Sequence, residues 1–92
     1  MRVDIDSNGN KFYYNDNNDK LHREDGPAIE YPDGYKAWLI NGNSHREDGP
    51  AVEYADGRKF WYLDGNEYTE QEFDKIILKY KWNKFVKDHQ CV

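Results

Sequence analysis

Cysteine is nearly absent. Cys91 stands alone, so no internal disulfide can staple the fold. No apolar run is long enough to span a bilayer, and the first twenty residues lack the apolar stretch of a secretory signal. Together these absences predict a cytoplasmic protein with no membrane contact. Glycines stand singly at turns rather than in a phosphate-cradling cluster. The closely spaced Cys and His ligands of a zinc site are missing too, so no metal or cofactor is expected. Apolar residues make up 37% of the chain and charged ones 34%, and 92 residues bury only a limited share of their surface. A thin core in one domain, residues 1–92, follows.

What the chain has instead is repetition and aromatic rings. His22–Ala28 and His45–Ala51 both read His-Arg-Glu-Asp-Gly-Pro-Ala, 23 positions apart. The match extends until residues 21–44 align with residues 44–67. A degenerate third copy precedes them: Asn8-Gly9 stands where Asp33-Gly34 and Asp56-Gly57 stand, and residues 11–14 match residues 36–39 and 59–62. Such periodicity marks a repeat architecture.

Each unit predicts strand, tight turn, strand, tight turn. Residues 28–31 and 51–54 are short runs of β-formers. Asp33-Gly34 and Asp56-Gly57 predict two-residue hairpin turns, 36–40 and 59–63 the return strands, and Asn41-Gly42 and Asp64-Gly65 the next turns. Residues 1–7 add a first strand, and residues 15–19 a polar loop. The Gly-Pro pairs make a second kind of corner, where proline fixes φ and suits the start of a strand. Asp25 and Asp48 are expected to accept backbone N–H groups there, with each His and Arg pairing to the nearby Glu and Asp. The expected fold is mainly β (α+β): an antiparallel β-meander of about six strands over residues 1–68, one C-terminal α-helix over 69–88, and a tail at 89–92.

The period of two sets the faces. Ile29 and Tyr31 oppose Ala28 and Glu30, and Val52 and Tyr54 oppose Ala51 and Glu53. On the return strands Trp38 and Ile40 oppose Ala37 and Leu39, while Trp61 and Leu63 oppose Phe60 and Tyr62. These strands are apolar on both faces. Either both faces are covered, which needs the helix on one side, or one carries an exposed aromatic patch. Helix cover is expected for the last unit and exposure for the first two. Thr69-Glu70-Gln71-Glu72 reads as a capping box opening a helix to about Lys87. Phe73, Ile76, Ile77, Tyr80 and Lys84 trace one stripe, and Leu78, Trp82, Phe85 and Val86 a second that is available to a partner.

The tandem motif resembles that of small bacterial and phage proteins built from HREDGPA hairpin units, a divergent relative of MORN-type repeats. The resemblance covers roughly residues 8–75, including the helical end-piece that opens at Asn66–Phe73. It implies a phage or mobile-element accessory protein acting in the host cytoplasm, such as an anti-CRISPR-like inhibitor of a host defence nuclease complex.

His22 and His45, with Glu24, Asp25, Glu47 and Asp48, supply metal-ligand types. A row of identical metal or phosphate sites is one reading. Bracing of each corner is the other, and recurrence at the repeat period favours it, because a catalytic centre usually occurs once. Nothing separates the environments of the many carboxylates as an acid–base pair requires, so no enzyme is expected. Residues 1–69 hold eight Lys or Arg against fourteen Asp or Glu, whereas residues 75–87 hold five lysines and no acid. An acidic body suits nucleic acid poorly and suits the basic groove of a nucleic-acid-binding protein well. The expected partner-binding residues are the acidic corners Glu24, Asp25, Glu47 and Asp48 with the aromatics Trp38, Trp61 and Tyr62. A small-ligand-binding aromatic face and a self-assembling element with open strand edges are the alternatives.

Overall fold

The computed structural model describes residues 2–89, with side chains as far as Lys79. Met1, Cys91 and the outer helix positions Tyr80, Trp82, Lys84, Phe85 and Val86, read above as stripe residues, lie outside the described side chains. Nine short strands precede the helix: β1 (Arg2–Ile5), β2 (Lys11–Tyr14), β3 (Ile29–Glu30), β4 (Lys36–Ala37), β5 (Leu39–Ile40), β6 (Asn43–Ser44), β7 (Val52–Glu53), β8 (Lys59–Leu63) and β9 (Asn66–Tyr68). All pairings are antiparallel, in the order β1-β2-β3-β4-β7-β8-β9, with β5-β6 as a separate pair. The helix α1 spans Glu70–His89. The fold is thus mainly β with one C-terminal helix.

The strand count exceeds six because the expected strand over 36–40 is shared between two neighbours and because β6 and β9 extend the chain after the Asn41-Gly42 and Asp64-Gly65 turns as further strands. Lys36-Ala37 pairs with β3 and β7, whereas Leu39-Ile40 pairs with β6. Trp38 bridges the two halves: its N–H donates to Ala51 O at 2.7 Å and its carbonyl accepts from His45 N at 3.0 Å. Each return strand therefore ties its own unit to the next, the nearest-neighbour logic of repeat proteins.

The register puts like beside like. Lys11, Glu30, Lys36, Glu53 and Lys59 stand opposite one another in turn, a row of alternating charge. Phe12, Ile29, Ala37, Val52 and Phe60 form the adjacent row, whose side chains point to the other face. That second face carries a continuous chain of rings. Phe12, Tyr31, Tyr35, Tyr54 and Phe60 follow one another at centroid distances of 6.1, 4.9, 5.2 and 5.6 Å, tilted or edge-to-face. Burial, reinforced by the neighbouring tyrosines, pushes the Tyr35 phenol above its ordinary range.

The core is as thin as the composition implies. Among the described residues no large side chain is fully buried, and the fully enclosed positions are Ala28 and Ala51. One cluster joins Ala28, Ala37 and Leu39; the other joins Leu63 with Phe73 and Ile77 of the helix. The helix therefore covers the last unit, as expected. Exposure is expected for the first two units, and on one of their faces the Tyr13 and Trp38 rings instead lie under Arg23 and Arg46 of the repeated loops.

The two turn families also differ. Asn41-Gly42 and Asp64-Gly65 have positive φ at both residues, the two-residue turn that suits strand twist. At Asp33-Gly34 and Asp56-Gly57 only the glycine is positive, at +106° and +95°. There the turn spans three residues: Gly34 N–H donates to Tyr31 O, Tyr31 N–H donates to Tyr35 O, and Asp33 Oδ1 accepts from Tyr35 N. The aspartate is thus used as a side-chain acceptor, which releases it from the strained conformation.

The capping box forms. Thr69 N–H donates to Glu72 Oε1 at 2.9 Å and Glu72 N–H donates to Thr69 Oγ1 at 3.2 Å. The backbone N–H of Thr69 holds the Glu72 carboxyl below its ordinary value of 4.5, and the Thr69 hydroxyl and Lys75 act in the same direction. A depressed folded value means the stabilisation is complete above about pH 4.5 and is lost as pH falls through the folded value. Amide exchange in the first helical turn is therefore expected to accelerate in acid, and Glu72→Gln to remove that pH dependence.

Candidate protein-binding edge

Each residue of the repeated motif has a definable task. The arginine lies over the aromatic ring of the preceding return strand. Arg23 Cζ sits 4.1 Å from the Tyr13 ring centroid and Arg46 Cζ 3.8 Å from that of Trp38. The guanidinium then closes its own corner. Arg46 Nε donates to Asp48 at 2.9 Å, and its Nη1 donates to Pro50 O at 3.1 Å and to Glu53 at 3.0 Å. Arg23 donates likewise to Asp25 at 3.1 Å and to Pro27 O at 3.3 Å, and forms a longer ion pair with Glu30 at 3.6 Å. The two aspartates thus accept from guanidinium rather than from backbone N–H. The glycine makes room: a Cβ on Gly26 or Gly49 would lie 3.0 or 3.1 Å from the arginine Cζ. The alanine enters the ladder, where Ala51 N–H donates to Phe60 O and Ala51 O accepts from Trp38 N–H.

The histidine reaches further than the sequence reading places it. His22 Nδ1 accepts from Asn41 N–H and His45 Nδ1 from Asp64 N–H, both at 3.0 Å. The next N–H of each turn, on Gly42 and Gly65, donates to Leu21 O and Ser44 O. Each loop therefore caps the turn 19 residues downstream rather than only its own corner. An accepting Nδ1 puts the ring proton on Nε2, facing Glu24 at 3.5 Å and Glu47 at 3.2 Å. His45→Ala is expected to lower stability by about 1 kcal/mol, because the Asp64 N–H loses its acceptor. His45→Asn, whose carbonyl can stand in for Nδ1, should recover most of the loss in a denaturant titration.

The loops wall an open groove of about 860 Å³ with Trp38 and Ile40 at its base. Glu24, Asp25, Glu47, Asp48 and Asp64 line it against the two guanidiniums of Arg23 and Arg46, so its charge is negative. Five of the seven expected residues meet here. A second groove, about 350 Å³, continues past the second loop over Trp61, between Glu47 and Asp48 on one side and Glu70, Phe73 and Asp74 of the helix on the other. Tyr62 joins neither. It alternates with Trp61 onto the tyrosine face, where burial first, then Glu67 and Tyr54, raises its phenol. Comparisons with family models, with curated proteins and with solved structures find no match. Among the described residues no group of three or more His, Cys, Asp or Glu is arranged to hold a metal ion, and no helix is long and apolar enough to cross a membrane.

Ile40, Asp64, Glu70 and Asp74 line the grooves although the sequence marks them only as strand, turn and helix-start positions, not as site residues. Asp64 carried a signal, since it follows His45 by the same 19 residues that separate His22 from Asn41. The helix residues carried none, because helix placement against the sheet is a tertiary fact.

Proposed function

We propose that the protein is a non-enzymatic docking module whose loop edge fits a basic surface of another protein. The observation that carries this is a division of labour within each loop. His and Arg are turned inward to turns, rings and carbonyls, while the carboxylates of Glu24, Asp25 and Asp48 stand 80, 82 and 82% exposed along the groove. A partner whose natural ligand is nucleic acid has the complementary field. The nuclease complex of a host defence system is the concrete case, and a phage- or mobile-element-encoded inhibitor would block it by covering that surface. The test is capture from host lysate at low and high salt, followed by Glu24→Gln/Glu47→Gln/Asp64→Asn. Recovery of one stoichiometric, nucleic-acid-binding partner, weakened by salt and by the variant, is expected. Absence of such a partner, or indifference to those charges, would rule the reading out.

One observation favours self-assembly as a second reading. β1 is paired on one side only, and Val3 and Ile5 on it are 44 and 62% exposed. Light scattering should then show association that rises with concentration and that Ile5→Lys suppresses; a monomer at every concentration removes this reading.

A further inference from the structure

Among the described residues four arginines lie over aromatic rings, and two of them recur at the repeat period. Arg23 over Tyr13 and Arg46 over Trp38 occupy equivalent places in successive units, each flanked by an aspartate. The third ring in the series is Trp61, 23 residues after Trp38. Thr69 stands 23 residues after Arg46, where a fourth unit would begin, so the series supplies no arginine for this ring. Among the described residues no guanidinium lies over Trp61. The helix brings Phe73 and Ile77 against this part of the sheet, yet Trp61 is only half-buried and a groove of about 350 Å³ stays open beside it. Among the described residues its walls bear Glu47, Asp48, Glu70 and Asp74 against one cation, Lys59.

We infer that the groove over Trp61 is a seat for an arginine side chain of the partner protein, completing from outside the stack that Arg23 and Arg46 complete from within. This rests on the docking reading above and names the group it would grip. The chemistry is specific in three ways. Tryptophan is the most favourable ring for a cation. A planar guanidinium can stack and still reach a carboxylate at its edge, as Arg46 does with Asp48. The excess of carboxylates matches a positive charge, not a neutral side chain of the same shape.

The test uses the intact chain and its tryptophan indole N–H signals in NMR, assigned by single Trp→Phe variants. N-acetyl-arginine methylamide is titrated beside its uncharged citrulline counterpart. The Trp61 signal is expected to move and to saturate only at roughly tens of millimolar or above, the order expected for one cation–ring contact with a carboxylate neighbour. Citrulline should act at least about tenfold more weakly. Trp38, whose ring Arg46 already covers, should hold still, and Asp74→Asn should weaken the Trp61 response. A silent Trp61, an equal response to citrulline, or an equal response of Trp38 would overturn the inference. Partner capture that persists while Trp61 is silent would remove the seat and leave the docking reading; loss of both would remove both.

Discussion

Ala51→Leu is expected to lower the melting temperature by about 4–24 °C. Ala51 has no exposed surface, and its backbone is held from both sides, by Phe60 O at 2.9 Å and by the Trp38 N–H at 2.7 Å. The strand cannot slide away without breaking both bonds. A larger side chain in a closed site forces off-rotamer packing and backbone shifts that cost about 1–3 kcal/mol. In a domain of this size each kcal/mol moves the midpoint by about 4–8 °C. Ala28 occupies the equivalent place in the preceding unit with the same zero exposure and the same bonds, to Ala37 O and from Tyr13 N–H, so Ala28→Leu should match Ala51→Leu. Thermal unfolding followed by circular dichroism decides it. An unchanged midpoint for either variant would mean that the alanines are not the closed points of the repeat.

Arg46→Lys should cost about 2 kcal/mol although charge is kept. One guanidinium meets Asp48, Pro50 O, Glu53 and the face of Trp38 at once. An ammonium is a point donor and can serve only some of these together. Glu53 is largely sequestered, so the loss of its partner adds to the cost. Arg23→Lys is expected to cost less, because its contacts to Pro27 O and Glu30 are longer and its ring is tyrosine. The inequality is the sharp part: denaturant midpoints that fall equally, or in the reverse order, would show that the guanidinium geometry does not set the strength of the corner.

The candidate edge was only half visible beforehand. Glu24, Asp25, Glu47 and Asp48 are legible as a surface group because they recur at the repeat period and no core position needs them. Trp38 and Trp61 are legible as large and sheet-borne, but not as the floors of grooves. That depends on Ile40, Asp64 and the helix residues Glu70 and Asp74 arriving beside them. Tyr62 lies on the face opposite Trp61, as the strand alternation in the sequence already implies, and so stays outside both grooves.

Local chemistry by itself settled the repeat length, the positions of the glycine turns, the antiparallel meander and the Thr69–Glu72 helix start. Each depends on groups within a few residues of one another, whose backbone preferences act before any long-range contact exists. Tertiary structure alone decided that His22 and His45 cap a turn 19 residues downstream, that arginines rather than the helix roof the first two aromatic rings, and that among the described residues no arginine lies above the third. Those facts depend on which strands become neighbours across the sheet, and hydrophobic patterning names the faces of a strand without naming what comes to rest on them.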